Sequence, residues 1–363
     1  MSDDPGVFDV AIVGAGVVGL AIAYSLSKLG KRVTVIEKEA DAGMGVTAGQ
    51  ASVIHVVQLP FGSLKSKLAR KGNTMYDGLC EELGVKLIRM PTLLVVRGWS
   101  KLPALLVAHL YLKLGLRGQF RTQLMRGKNL RKMEPQLARD VSAGVVVHGY
   151  GTVDTQSLVS KLRSASEKLC ASFMFGSELK EAEIGERATL LKTSGGEVKA
   201  RFVVNAAGLN SDDVSRILGK DLGTHEPGLG VMAVYSGLEL RCIIAPLPIS
   251  VGSRTKGGAI IPAADGTTII GPTLRVTGSK GDKAYTEEDV DTLRRKFGPL
   301  LNGEGKLVRV YTGIRPLSPT RDFIIDIDRA RRLINLVGIE SPGLTAAPAI
   351  AEIIGRAILG EQA

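Results

Sequence analysis

The residues with the clearest chemical meaning stand near the N-terminus. Gly14, Gly16 and Gly19 form a Gly-x-Gly-x-x-Gly run. The first glycine permits a tight turn, the second lets a pyrophosphate approach the main chain, and the third lets helix and strand pack closely. Glu37 comes 23 positions after Gly14, where a carboxylate can accept hydrogen bonds from ribose hydroxyls. Proton transfer needs a different group. The four histidines are His55, His109, His148 and His225, and an imidazole can take up and release a proton near neutral pH. Residue type alone does not choose among them. Cys80, Cys170 and Cys242 are isolated in the chain, so neither a disulfide framework nor a Cys-x-x-Cys site is signalled, and no metal site is expected.

The glycines need a strand before them and a helix after them. Phe8 to Val13 is a short apolar run rich in β-branched residues, which reads as a buried parallel strand. A helical pattern follows through Leu29 and stops at Gly30. Arg32 to Ile36 reads as the second strand, ending in Glu37. Strand, glycines, helix, strand and acid thus occur in the order of a dinucleotide-binding unit, a fingerprint shared by FAD and NAD proteins. Further on, the spacing predicts an amphipathic helix over 64–83 and strands over 86–97. A βα unit is expected to begin near Val145, with Asp154 or Thr155 as helix cap. Arg201 to Asn205 reads as a strand leading into Ala206-Ala-Gly208. From Val231 to Gly271 short strands with Gly and Pro turns suggest an antiparallel sheet. A last buried strand, Leu333 to Val337, runs into Gly338-Ile-Glu-Ser-Pro-Gly343 and a helix from about Thr345 to Leu359.

A chain of 363 residues exceeds what one hydrophobic core usually holds. The nucleotide-binding pieces lie at both ends and in the middle, so the second domain is expected to be inserted. The fold class is α/β: a Rossmann-like domain from residues 1–84, 145–224 and 316–363, and a mainly antiparallel substrate domain from 85–144 and 225–315. Lys and Arg outnumber Asp and Glu by 47 to 36, a formal charge of +11. Aromatics are only 4% and no reading module is present, so nucleic acid is not an expected partner.

Several segments together resemble the D-amino-acid-oxidase superfamily of flavoproteins, nearest in look to the FAD-dependent glycerol-3-phosphate dehydrogenase/oxidase group, with L-2-hydroxyglutarate dehydrogenases close behind. They are Thr47 to His55, Pro60 to Leu68, Gly151-Thr-Val-Asp154, Asn205-Ala-Ala-Gly208, Thr255-Lys-Gly257, Ile270-Gly-Pro-Thr273, Gly313-Ile-Arg-Pro316 and Leu336 to Thr345. The resemblance implies FAD as cofactor, held by Gly14, Gly16, Gly19, Glu37, Lys38, Thr47, Ser52, Ala207, Gly208, Gly313, Gly338, Gly343, Leu344 and Thr345. It implies His55 as the catalytic base, and Lys256, Arg315 and Ser341 as substrate-binding residues, with Arg254 and Arg321 able to substitute for the cations. A guanidinium can grip a phosphate through two parallel hydrogen bonds, whereas Lys acts as a mobile point charge.

The reaction so implied is oxidation of sn-glycerol 3-phosphate to dihydroxyacetone phosphate, with hydride passing to flavin N5. The alternatives are a 2-hydroxy acid such as 2-hydroxyglutarate, an amino acid such as proline, or a non-catalytic FAD-binding subunit of a larger complex. The expected partners are a small anionic substrate and an electron acceptor, which could be a quinone, oxygen or a partner protein. Some members of the glycerol-3-phosphate group carry an extra C-terminal domain or a cysteine-rich iron–sulfur module. This chain shows neither, which leaves the acceptor open.

One stretch departs from the family look. Leu102 to Leu116 is strongly apolar, flanked by Trp99, Lys101 and a downstream basic run of Arg117, Arg121, Arg126 and Lys128. It reads either as a core-facing helix of the substrate domain or as a segment lying in a lipid interface. Its fifteen residues fall short of the about twenty a spanning helix needs. No secretory signal opens the chain, so the expected location is the cytoplasm, with peripheral contact to the inner face of the membrane as the second option.

Overall fold

A computed structural model describes residues 6–247 and 257–360. The chain begins with β1 (Val7–Val13), α1 (Val17–Lys28) and β2 (Val33–Ile36). A short strand β3 (Val53–Ile54) precedes α2 (Leu64–Leu83), β4 (Leu87–Arg97) and α3 (Leu102–Leu116). Then come β5 (Thr122–Arg126), α4 (Gly127–Met133), β6 (Val141–Val153) and α5 (Thr155–Lys168). The middle of the chain supplies β7 (Ser172–Met174), the hairpin β8 (Leu179–Ile184) and β9 (Thr189–Thr193), β10 (Gly196–Asn205) and α6 (Ser211–Ile217). β11 (Glu226–Ser236), β12 (Ile243–Pro246), β13 (Ala259–Pro262), β14 (Thr268–Gly271) and β15 (Arg275–Val276) follow. Finally come α7 (Glu287–Phe297), β16 (Lys306–Leu317), β17 (Ile324–Asp328), β18 (Leu333–Val337) and α8 (Gly343–Leu359).

The strands form two sheets. The first runs β17-β18-β10-β1-β2-β7, with the β8–β9 hairpin attached to β10. Its β1, β2, β7, β10 and β18 pair in parallel, and β17 closes one edge antiparallel. Helices cover this sheet, so β2 and β18 are buried at every position, which is why these segments read as unbroken apolar runs. The second sheet collects β3, β4, β5, β6 and β11 to β16. Its pairings are antiparallel except for β4 with β12. The chain thus leaves the first sheet, builds the second, and returns, giving a Rossmann-like domain with an inserted sheet domain.

Local chemistry sets the helix ends. The Ser63 side chain accepts the Ser66 N–H at the start of α2, while Asp322 accepts the N–H groups of Leu64 and Lys65 at 2.7 and 2.9 Å. Gly84, at φ 66°, ends that helix in the left-handed region that favours glycine. Asp154 is the N-cap of α5 and accepts the Ser157 N–H at 3.0 Å. Replacing Asp154 with Ala should lower unfolding free energy by about 1 kcal/mol, measured by chemical denaturation.

Two expectations change. The strand β6 belongs wholly to the second sheet, paired with β4, β3 and β5, so the expected domain boundary at 145 falls inside a strand and the βα unit near Val145 is not part of the Rossmann sheet. Val145 and Val147 pack into one core and Val146 into another. A central antiparallel strand covered on both faces has the same apolar signature as a parallel one. The second change concerns α3. Leu105, Leu112 and Leu116 face the core, but Val107, Leu110 and Leu114 are 70, 59 and 66% exposed. It is a core-facing helix on one side only. No described helix is long and apolar enough to cross a membrane.

Candidate active site

The carboxyl ends of β1, β2 and β10 open into a cleft of about 2640 Å³, whose walls come from both sheets. Gly14, at φ 109°, packs so closely on the turn after β10 that a Cβ would lie 2.5 Å from the Ala206 carbonyl oxygen. A Cβ on Gly19 would collide with the Gly14 carbonyl. Gly16 is the N-cap of α1 and brings no side-chain cap, leaving the helix start to offer N–H groups to a ligand. The Thr47 Oγ1 accepts the Val17 N–H at 3.1 Å and sits 3.3 Å from where a Gly16 Cβ would be. Glu37 accepts the Ala15 and Glu39 N–H groups at 2.7 and 2.9 Å, which fixes its carboxylate in the cleft wall beside Lys38. These residues fit a dinucleotide: a bare phosphate turn with an oriented carboxylate beyond it.

The other half of the cleft is built from distant segments. The Asn205 side chain accepts the Ala207 N–H and donates to the Ser211 carbonyl, shaping the turn that carries Ala207 and Gly208. Gly49 and Gly313 pack main chain against main chain, with no room for a Cβ on either. This contact ties the 3₁₀ turn Val46–Gly49 to β16. Ser52, at φ 60°, accepts the Val153 N–H at its carbonyl.

His55 is held by its main chain. Its N–H donates to Thr345 Oγ1 at 3.0 Å, and its carbonyl accepts from Asn73 Nδ2 at 2.9 Å. Asn73 Nδ2 also donates to the Gly149 carbonyl, as does Arg89 Nη1, both at 3.0 Å. The imidazole lines the cleft and meets the Tyr150 ring edge-on at 6.1 Å. Burial pushes the Tyr150 hydroxyl up to about 12, so it stays neutral, and it accepts the Val57 N–H at 3.1 Å.

Arg315 and Ser341 also line the cleft. Beside them the buried Lys65 ammonium lies 3.5 Å from the equally buried Glu340 carboxylate and donates to the Arg321 carbonyl. Burial holds the Arg315 guanidinium below its ordinary value, and the Glu340 charge opposes that shift. Among the described residues, Lys65 and Arg315 thus both interact with the Glu340 carboxylate.

Most expected site residues reach this cleft: His55, Arg315, Ser341, Gly14, Gly16, Glu37, Lys38, Thr47, Ser52, Ala207, Gly208, Gly313, Gly343 and Leu344 line it. Gly19, Gly338 and Thr345 lie behind its wall. Gly19 packs helix on strand, Gly338 at φ 70° packs on Ser318, and Thr345 holds His55. Lys256 and Arg254 fall outside the described residues. Sequence reasoning missed Lys65, Asn73, Tyr150 and Glu340. Lys65 and Glu340 do lie within segments already singled out for their family look. Of the other histidines, the buried His225 bonds Ser211 Oγ at 3.0 Å, and none of His109, His148 and His225 lines the cleft. The described residues contain no cluster of His, Cys, Asp or Glu able to hold a metal ion.

Known proteins resemble this chain over most of its length. A glycerol 3-phosphate dehydrogenase from Caloramator mitchellensis is 29% identical over 354 residues, covering 94% of this chain and 72% of the relative. The mitochondrial L-2-hydroxyglutarate dehydrogenase of Arabidopsis thaliana is 28% identical over 418 residues, covering 97% and 83%. Among solved structures, dithionite-reduced L-alpha-glycerophosphate oxidase from Mycoplasma pneumoniae with FAD bound matches with a TM-score of 0.88 at 24% identity, over 97% of this chain and 95% of that one, a likeness of fold. Residues 9–357 match the DAO family of FAD dependent oxidoreductases. The chain belongs to that family and is an FAD-dependent oxidoreductase.

Proposed function

We propose that this enzyme oxidises the C2 hydroxyl of sn-glycerol 3-phosphate to give dihydroxyacetone phosphate. The observation that carries the reading is the charge beside Arg315, where the buried Lys65 ammonium lies 3.5 Å from the Glu340 carboxylate and the Glu340 charge also acts on Arg315. That group keeps positive charge for an anion, and a guanidinium already stripped of much of its water gains most from one that reaches it. FAD, when bound along the glycine turn, supplies the hydride acceptor. His55 takes the C2 hydroxyl proton at a ring nitrogen, with Thr345 and Asn73 fixing its main chain so that the imidazole keeps its place. Arg315 binds the phosphate through its planar fork, and Ser341 adds a hydroxyl beside it. Ile243, Ile261 and Ile269 line the cleft and exclude water, which strengthens both interactions.

A 2-hydroxy acid is the second reading, favoured by the likeness to L-2-hydroxyglutarate dehydrogenase. The same guanidinium can take a carboxylate. Dye-linked turnover with sn-glycerol 3-phosphate, 2-hydroxyglutarate and proline separates the readings. The first is wrong if either of the other two gives the higher kcat/KM. Oxygen uptake and reduction of a soluble quinone, measured side by side, identify the acceptor.

Arg315→Lys keeps the charge but loses the fork. It should lower kcat/KM for glycerol 3-phosphate by about tenfold or more, since one charge-assisted hydrogen bond contributes about 1.5–3 kcal/mol. Removing the phosphate from the substrate should then cost the wild type far more than the variant. Equal losses in both would show that Arg315 does not touch the phosphate.

A further inference from the structure

We propose that the outward face of α3 is a docking surface for anionic lipid, which seats the mouth of the flavin cleft against a membrane. A short helix that is apolar all round is normally buried on all sides, and α3 is not. Leu105, Leu112 and Leu116 point inward, and Gly115 sits so close to the Phe61 ring that a Cβ would collide with it. The opposite stripe, Val107, Leu110 and Leu114, is open to solvent, with Leu106, Tyr111 and Trp99 also exposed beside it. Six large apolar side chains on one surface exceed the scattered exposure that needs no explanation.

The charge around this stripe selects the occupant. From Gly98 to Met133 the chain has no Asp or Glu and eight Lys or Arg. Lys101, Lys113, Arg117 and Arg121 are exposed, and none of the four has an ion-pair partner among the described residues. Arg117 is near enough to Arg70 to help hold that guanidinium below its ordinary value, behind burial as the larger cause. An apolar stripe on a segment whose only Asp, Glu, Lys or Arg residues are cations matches the boundary of an anionic bilayer, where apolar side chains enter the acyl region and Lys and Arg meet the headgroups. A second copy of the chain fits poorly, because a two-fold contact would set these cations against each other.

Docking here has a catalytic consequence. Ala104, Val107, Ala108 and Tyr111 also line the flavin cleft, so the surface that meets lipid borders the cleft opening. An apolar electron acceptor dissolved in the bilayer would reach the flavin without crossing water.

The test is co-sedimentation of the flavin-loaded enzyme with vesicles of phosphatidylglycerol and phosphatidylcholine, beside vesicles of phosphatidylcholine alone. Wild type should pellet with the anionic vesicles only, and raised salt should release it, because the screening length falls to about 3 Å at 1 M. Leu110→Glu with Leu114→Glu should weaken binding by about tenfold or more while flavin content and dye-linked turnover stay at the wild-type level. Lys113→Glu with Arg117→Glu should do the same through charge alone, and keeps the test alive if the leucine variant folds badly. Leu105 and Leu112 are unsuitable, because they face the core. Two results overturn the proposal. One is wild type remaining in the supernatant with anionic vesicles at low salt. The other is a concentration-dependent dimer in sedimentation velocity that Leu110→Glu abolishes.

Discussion

Replacing His55 with Ala should lower turnover by about two to four orders of magnitude, the range set by loss of a general base, while FAD stays bound. The two effects are separable because of how His55 is held. Its contacts to Thr345 and Asn73 run through the main-chain N–H and carbonyl, and the substitution leaves both in place. What disappears is the imidazole facing the cleft beside Tyr150. Tyr150 cannot substitute as a base near neutrality, since burial pushes its hydroxyl up to about 12. Activity should return as pH rises and hydroxide replaces the lost base, so the variant and wild type should differ in the shape of their pH profiles as well as in magnitude. Flavin absorbance per mole of protein gives the control. If activity falls only in proportion to lost flavin, His55 serves the cofactor and the base lies elsewhere.

The second large effect is on the cofactor. Gly16→Val should give colourless protein that FAD does not restore. A Cβ at Gly16 already lies 3.3 Å from Thr47 Oγ1, so two further methyls must enter the space that a pyrophosphate needs at the start of α1. The Thr47 bond to the Val17 N–H holds the far side of that space and gives it little room to yield. Flavin absorbance after gel filtration reads the loss, and circular dichroism shows that the fold remains. Yellow protein at the wild-type ratio of flavin to protein would mean that the pyrophosphate does not cross Gly16.

The two predictions rest on residues that differ in how legible they were. The glycine turn was readable because its parts are adjacent in sequence and each has a steric reason to be glycine. The limits of α2 and α3 were also legible, the first from its amphipathic spacing, the second from the edges of its apolar run. β6 was misplaced because a run such as Val145-Val146-Val147 reports burial on both faces and says nothing of which sheet supplies the cover. α7 was overlooked because it is largely polar, yet its signals are present: a capping box at Thr286 and Asp289, and buried Val290, Leu293 and Phe297 at helical spacing. The pairing of Lys65 with Glu340 could not be read at all. The two lie at opposite ends of the chain, and only the packing of α2 against α8, with Gly72 pressed on the Thr345 carbonyl, brings them together.

That same packing bears on biosynthesis. The first coenzyme-binding turn precedes most of its neighbours: β1 finds its inner neighbour only when β10 has been made, and β10 finds β18 only after β11 to β16 of the second sheet have followed. The His55 amide then waits for Thr345, on the last helix. Domains that fold as contiguous units can mature while synthesis continues. This one is discontinuous, because its coenzyme fold is stitched from segments before, between and after the stretches that build the second sheet. A nascent chain halted between β10 and α8 carries the glycine turn and His55 but lacks Thr345, which holds the His55 amide.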